Sequence, residues 1–253
     1  MFSLEIDFDP DDRDLLVAEL WEQGSAGIVE LTDRSVRAFF EDTADRAALL
    51  RLFPGAGLRI EEETDWVETA RDLLQPMKVG RRFFLVPEWR DDPAPPGRLR
   101  IRVNPGQAFG TGVHETTRLC LEALEDYIMG GMTVLDVGTG SGILARAAGL
   151  LGAAKVFGCD LDPIAVEIAG GAFLGSVDAV ADAAIDLAVA NISPEVIVAL
   201  APDLLRVLRP GGILLASGFE LLEVEQVKAA ISPACELRTK GMWALLICPK
   251  TGP

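Results

Sequence analysis

The feature that most constrains the fold is an alternation of strand, glycine turn and helix that runs from about residue 98 to the end of the chain. It is clearest in "TVLDVGTGSGILARAAGLLGA", where a buried-strand pattern meets a glycine turn and then an apolar helical stretch. The following "KVFGCDLDPIAVEIA" repeats the scheme with an acid at the end of the strand. This alternation favours a parallel, doubly wound α/β sheet, which binds ligands at the carboxyl ends of its strands.

The first part of the chain has a different pattern. Residues 1–63 alternate strand and helix periods in the order β-α-β-β-α-β, which is typical of the small ferredoxin-like α+β sandwich. Residues 64–97 follow with a helix around Trp66, a basic turn, an aromatic strand near Trp89 and a proline-rich turn. The sequence therefore predicts an N-terminal domain at 1–63, a linker helix and connector at 64–97, and an α/β domain at 98–253.

The composition restricts the partners. Acidic residues outnumber basic ones 39 to 23, which gives a formal net charge of −16 and disfavours direct contact with nucleic acid. A basic protein is the macromolecular partner that such a charge favours. Apolar residues make up 49% of the chain, but no run approaches the ~20 uncharged residues of a membrane span. With an acidic "MFSLEIDFDPDD" at the start, we expect a cytoplasmic protein without a membrane partner.

Cysteine and histidine are too sparse to predict a metal site. The four cysteines, Cys120, Cys159, Cys235 and Cys248, are far apart and form no CxxC pair, and His114 is the single histidine. We therefore expect no metal, and four reduced, buried cysteines with a structural role.

The stretch "VLDVGTGSG" is the most informative part of the α/β region. Gly138, Gly140 and Gly142 permit a tight turn and a close approach of the backbone to a ligand at the start of a helix. A dinucleotide is the first candidate, but the GxGxxG pattern is not satisfied in either register. The turn also contains Asp136, which suits a cationic ligand better than a pyrophosphate.

A second acid, Asp160, ends the next strand, where a carboxylate commonly binds the two hydroxyls of a ribose. A ribose and a positive group without a pyrophosphate together describe S-adenosylmethionine. "LDVGTGSG" followed by "GCDLDP" resembles the first two motifs of class I S-adenosylmethionine-dependent methyltransferases. A glycine turn that only packs a helix on a sheet, or a site for another nucleotide, are the alternatives.

A third stretch narrows the resemblance. "NPGQAFGTGVHETT", at 104–117, is similar to the signature of the bacterial methyltransferase of ribosomal large-subunit protein eleven, the PrmA family, and the similarity covers essentially all of the chain from residue 65. The resemblance implies a seven-stranded-type Rossmann-like methyltransferase sheet behind a small substrate-recognition domain. It also implies trimethylation of lysine ε-amines and of the N-terminal α-amine of that ribosomal protein. We expect the enzyme to be a monomer.

The resemblance also suggests site residues. Thr117, Gly138, Asp160 and Asn191 match the family's cofactor contacts, and we add Asp136 and Gly140 from the glycine turn. In the 104–117 loop we expect Phe109 to cover the sulfonium of the cofactor by a cation–π interaction, unless it is a core residue. Gly110 would let that loop close down, and Thr111 would supply a hydroxyl.

We assign the catalytic role to Asn191, which ends a strand in "ANISP". Its side-chain carbonyl is suited to accept a hydrogen bond from the attacking amine, so no strong base is needed. The alternative is that Asn191 caps the following helix. For His114 we favour a structural or ligand-positioning role over that of a proton acceptor.

One segment departs from the family. Between "DPIAVEIA" and "GSVDAVADAAIDLAVANI" the chain is about ten residues shorter, so the adenine contacts near Gly175 and Ser176 are open. A binding protein of the same fold with impaired use of the cofactor is therefore one alternative function. A methyltransferase for another protein or a small molecule is a second one, because folds host many activities.

Overall fold

The computed structural model describes residues 1–9, 13–32, 34–60, 75–103, 114–232 and 234–250. The chain divides into two compact units, Met1–Leu74 and Gln75–Pro253. The predicted boundary at residue 63 and the helix around Trp66 lie outside the described residues, so the three-segment organisation stays a prediction.

The smaller unit follows the predicted order of strands and helices. Its described elements are β1 (Phe2–Asp7), α1 (Arg13–Glu22), β2 (Gly27–Thr32), β3 (Ser35–Phe40), α2 (Arg46–Leu52) and β4 (Gly57–Ile60). The strands form one antiparallel sheet in the order β2-β3-β1-β4. Phe2, Leu4 and Phe40 are fully buried in its core. Asp45 begins α2 because its carboxylate accepts the N–H groups of Ala47 and Ala48, each at 3.0 Å.

The larger unit contains a small sheet and a large one. Its described elements are β5 (Met77–Val79), β6 (Phe83–Pro87), β7 (Leu99–Val103), α3 (Glu115–Tyr127), β8 (Thr133–Val137), α4 (Ile143–Leu150), β9 (Lys155–Asp160), α5 (Pro163–Ala169), β10 (Ala172–Leu174), β11 (Ile185–Asn191), α6 (Pro194–Val207), β12 (Leu208–Glu220), α7 (Val224–Ile231), β13 (Glu236–Lys240) and β14 (Trp243–Pro249). Strands β5, β6 and β7 form the small sheet. Residues 75–97, which we interpreted as connector, thus contribute β5 and β6, and Phe83 and Leu85 are buried in the core of this unit.

The large sheet has the order β10-β9-β8-β11-β12-β14-β13. Its first five strands are parallel, whereas β14 is antiparallel to both β12 and β13. Alternate residues of β8 enter two different cores: Val134 packs in the core that includes α3 and α4, and Leu135 in the core that includes α6 and α7. Helices therefore cover both faces of the sheet, which confirms the predicted α/β class. Among the described helices, none is both long and apolar enough to cross a membrane.

The cysteine prediction was wrong for two of the four residues. Cys235 and Cys248 form a disulfide. The pairing follows from the register of β13 with β14, where Glu236 lies opposite Ile247, so that the next residues outward are Cys235 and Cys248. The two cysteines are thirteen positions apart in sequence, and only the strand register makes them neighbours. The other two cysteines are buried free thiols, as expected.

A buried carboxylate ties the small sheet to α3. Glu125 Oε2 accepts the backbone N–H of Arg81 at 2.8 Å, and Oε1 accepts that of Arg82 at 2.8 Å. The Glu125 side chain is only 2% exposed. Gly80, with φ of +53°, lies against it, because an added Cβ would approach Glu125 Oε1 to 2.5 Å. The β5–β6 turn therefore depends on this side chain and on the absence of one at Gly80.

We expect Glu125→Gln to lower the free energy of unfolding by about 2 kcal/mol, because the amide offers one acceptor and turns an N–H₂ toward the second backbone N–H. Glu122→Gln on the same helix is the matched control, since Glu122 makes one half-exposed ion pair, with Lys240. Urea unfolding followed by circular dichroism measures both variants. Equal losses in the two variants would contradict the proposed role of Glu125.

Candidate functional site

The site lies where the strand order reverses. From β8 the chain proceeds through β9 to β10 on one side and then returns to place β11 on the other side of β8. At such a switch point the loops after the two strands separate and leave a crevice. A cavity of about 400 Å³ occupies it. Its described lining residues are His114, Thr116, Thr117, Gly138, Thr139, Gly140, Ile143, Leu144, Asp160, Asn191, Ile192, Ser193, Gly218 and Trp243.

The glycine turn forms one wall of the cavity. Gly138, Gly140 and Gly142 all have positive φ, at +68°, +50° and +73°. Gly138 is required for a second reason, because a Cβ there would lie 2.3 Å from Ile192 Cγ2. The turn is fixed to β9, since the carbonyl of Cys159 accepts the Gly138 N–H at 2.9 Å. Gly138 and Gly140 line the cavity, where the sequence analysis placed them.

Asp160 is held at the end of β9 with its carboxylate in the cavity. Oδ2 accepts the N–H of Gly140 at 2.9 Å, and Oδ1 accepts the N–H of Asp162 at 3.0 Å. Each oxygen retains a second lone pair, so the carboxylate is oriented and still able to accept two more hydrogen bonds. This is the arrangement that a ribose diol requires.

Asp136 is buried behind the glycine turn. It is 1% exposed and is absent from the described cavity lining. One oxygen, Oδ2, accepts both the hydroxyl of Thr139 at 2.7 Å and the N–H of Ala145 at 3.0 Å. Burial raises the pKa of Asp136 to about 6, and the nearby charge of Asp160 also raises it. The geometry gives Asp136 the role of joining the glycine turn to α4, and its contact with the cofactor stays a prediction.

Asn191 and Thr117 meet on the opposite wall. Asn191 ends β11, and its Nδ2 donates to Thr117 Oγ1 at 3.3 Å from the first turn of α3. With the amide nitrogen engaged in this way, the side-chain carbonyl is the acceptor left to the cavity. The capping alternative does not describe this geometry, because α6 begins after Ser193 and Asn191 makes no hydrogen bond to that helix among the described residues.

His114 is arranged so that its Nε2 carries the proton and can donate a hydrogen bond. It caps α3 through Nδ1, which accepts the N–H of Thr116 at 3.4 Å and lies 2.8 Å from the Thr116 hydroxyl. Its ring meets that of Trp243 edge to face, with centroids 4.4 Å apart. Burial lowers the pKa of His114, so the ring is neutral at pH 7. Since Nδ1 accepts, the proton of the neutral ring lies on Nε2, which favours the positioning role over that of a proton acceptor.

Some lining residues were not identified from the sequence. Trp243 begins β14, and because β14 runs antiparallel to β12 its first residue lies at the edge where the parallel strands end. Gly218 interrupts β12 with a bulge at φ +103°, where an added Cβ would come within 2.2 Å of the Ile192 carbonyl oxygen. The orientation of the last strand is the only signal that would have placed Trp243 in the site.

Three predicted loop residues, Phe109, Gly110 and Thr111, lie outside the described residues.

The chemistry of the lining fits S-adenosylmethionine. Asp160 is the only formally charged side chain among the described residues that line the cavity, and no lysine or arginine is among them. A pyrophosphate would find no cation there, whereas a cationic ligand meets no repulsion. A ribose can bind to the two free lone pairs of Asp160, and the glycines keep the adjacent backbone accessible.

Comparison with known proteins supports the same assignment. Residues 31–248 match the model of the family described as ribosomal protein L11 methyltransferase (PrmA). A ribosomal protein L11 methyltransferase of Pelotomaculum thermopropionicum is 41% identical over 79% of this chain and 71% of its own length. One of Pseudomonas aeruginosa is 40% identical over 79% and 74%. The crystal structure of ribosomal protein L11 methylase from Lactobacillus delbrueckii subsp. bulgaricus aligns with a TM-score of 0.64 and 32% identity, over 70% of this chain and all of that one.

The buried carboxyl of Asp136 predicts a pH-dependent stability. Its pKa is higher in the folded chain than in the unfolded chain, so its contribution to stability is fully present at low pH and is lost as the pH rises through about 6. We expect the free energy of unfolding, relative to that of Asp136→Asn, to fall by about 1 kcal/mol between about pH 5 and pH 7.

Urea unfolding at several pH values measures this difference. The exposed Asp178 supplies the matched control variant, Asp178→Asn. A difference for Asp136→Asn that is constant or grows with pH would show that the carboxyl is not held in the protonated form by the fold.

Proposed function

Because the chain belongs to the ribosomal protein L11 methyltransferase (PrmA) family, we propose that it methylates ribosomal protein L11 with S-adenosylmethionine as the methyl donor. The acceptors in this proposal are lysine ε-amines and the N-terminal α-amine. The observation that carries it is the convergence of Asp160 and Asn191 on one cavity that has no basic side chain among its described lining residues.

Asp160 and the glycine turn are the residues that we assign to the cofactor. When bound, S-adenosylmethionine supplies a methyl group on a positively charged sulfur. Asp160 would accept the ribose hydroxyls with the lone pairs that the N–H groups of Gly140 and Asp162 leave free. Gly138 and Gly140 bring main-chain groups to the ligand without side chains in the way. Phe109, Gly110 and Thr111 stay predicted contacts.

Asn191 is the residue that we assign to the amine. Its Oδ1 would accept an N–H of the neutral amine and so direct the nitrogen lone pair toward the methyl group. Thr117 fixes the amide orientation by accepting from Nδ2 at 3.3 Å. Desolvation in the cavity lowers the pKa of a lysine, and solvent takes the proton, so no side chain has to act as a strong base.

The charge of the chain fits the substrate. A net charge of −16 attracts a basic ribosomal protein and accelerates its association at low ionic strength.

We propose that the N-terminal unit, with its β-α-β-β-α-β order, is a ferredoxin-like domain that recognises the substrate. We also propose that the enzyme acts in the cytoplasm as a monomer. The alternative of a binding protein is disfavoured, because the shortened segment leaves β9, β10 and Asp160 in register.

The first test concerns the cofactor. We expect Asp160→Asn to raise the Kd for S-adenosylmethionine about tenfold or more. The substitution replaces one carboxylate oxygen by an N–H₂ group, which cannot accept a hydrogen bond from a ribose hydroxyl or a backbone N–H. Asp162→Asn is the matched control. An asparagine can cap α5 as Asp162 does, and residue 162 lies outside the described cavity lining. Isothermal titration gives both values. Equal affinity of the Asp160→Asn variant and the wild type would overturn the ribose assignment.

The second test concerns the chemical step. We expect Asn191→Ala to lower kcat for L11 methylation about a hundredfold, because the acceptor that orients the amine is lost. The Kd for S-adenosylmethionine should change much less. Ser193→Ala, which also changes a lining side chain, should keep kcat near the wild-type value. Mass spectrometry of L11 follows the reaction, and a similar kcat for the two variants would exclude a catalytic role of Asn191.

A further inference from the structure

Three exposed apolar side chains lie together at the carboxyl edge of the large sheet. They are Leu221, Leu222 and Met242, with exposed fractions of 45%, 91% and 46%, and we call them the rim patch. Leu222 is the most exposed large apolar side chain among the described residues. An isolated exposed leucine needs no explanation, but three exposed apolar side chains on two hydrogen-bonded turns call for one.

The rim patch is held by specific hydrogen bonds. The N–H of Leu221 donates to the carbonyl of Met242 at 2.9 Å, which joins the turn after β12 to the turn before β14. The Glu223 side chain accepts the N–H of Glu220 at 2.8 Å, and together the two glutamates form a capping box around residues 221–223. The backbone of the turn is therefore fixed while the side chain of Leu222 points to solvent.

The rim patch is continuous with the cavity. Trp243, the next residue after Met242, lines the cavity, and so does Gly218 near the end of β12. In the β12–β14 register, Glu220 lies opposite Trp243. The rim patch therefore lies directly beside two lining residues of the cavity, Gly218 and Trp243.

The surroundings of the rim patch are acidic. Glu220, Glu223 and the exposed Glu225 belong to the same turn and to the first turn of α7. The nearest basic residue along β13 is Lys240, which Glu122 pairs at 2.6 Å. An apolar surface beside these three glutamates fits a basic segment that carries an apolar side chain.

We propose that the rim patch docks the segment of ribosomal protein L11 that carries the target amine, by seating an apolar residue of L11 close in sequence to that amine. This inference rests on the proposed function. The three side chains supply the apolar contact, and the glutamates attract the basic residues around it. The rim patch thereby determines which lysines of L11 reach Asn191, because a lysine without an apolar neighbour gains no such contact.

The test compares Leu222→Ser with Leu150→Ser. Leu150 is 43% exposed and ends α4, whose first turn is at the cavity, so it lies at the far edge of the sheet. We expect Leu222→Ser to raise the KM for purified L11 about fivefold, with kcat and the Kd for S-adenosylmethionine unchanged. Leu150→Ser should match the wild type in all three values. Leu222→Ser with Met242→Ser should raise the KM further.

The outcomes separate the two proposals. If the wild type binds S-adenosylmethionine but does not methylate L11, the proposed function fails and the inference falls with it. If the wild type methylates L11 and Leu222→Ser leaves the KM unchanged, or raises it no more than Leu150→Ser does, the inference alone is overturned. Sedimentation of the wild type as a dimer that Leu222→Ser converts to monomers would instead assign the rim patch to a second copy of the chain.

Discussion

The close approach of the glycine turn to Ile192 is the constraint on which the rest of the site depends. Gly138 leaves no room for a Cβ beside Ile192 Cγ2, and Gly218 leaves none beside the Ile192 backbone. Gly138 from the turn after β8 and Gly218 from β12 therefore hold Ile192, the residue that follows Asn191, between them. Any side chain at either position would displace the end of β11, and with it the amide that faces the cavity. The geometry of Asn191, to which we assign the catalytic role as a proposal, is thus set by residues with no functional groups of their own.

Charge is distributed so that the described lining of the cavity contains no positive group, in a chain that is strongly acidic. Asp160 is oriented by two backbone N–H groups, whereas Asp136 is withdrawn from the cavity and satisfied by Thr139 and Ala145. His114 is kept neutral by burial against Trp243. A cationic donor and an amine that must lose its proton both benefit from this arrangement, because neither meets a fixed positive charge. The two acids therefore differ in their surroundings: Asp160 lines the cavity, and Asp136 joins the glycine turn to α4.

The sequence predicted those features that are encoded locally. The strand–glycine–helix repeat indicated the α/β class, and the strand ends placed Asp160 and Asn191 at one edge, because parallel strands share a carboxyl edge. Features that depend on strand register were missed. The Cys235–Cys248 disulfide requires that β13 and β14 pair in one particular register, and spacing alone does not specify it. Trp243 was missed for a related reason, since only an antiparallel last strand brings its first residue to that edge.

The shortened segment shows how little of the sheet edge the site needs. Helix α5 has seven residues and ends at Gly170, which has φ of +60°, and β10 has only three. The short strand still pairs with β9 over its whole length, and the N–H of Gly175 donates to the carbonyl of Asp160 at 2.9 Å. That bond fixes the backbone of Asp160 from the side opposite the glycine turn. A longer helix would cover more of the edge, but the Asp160 carboxylate is oriented by the N–H groups of Gly140 and Asp162, which lie outside the short segment.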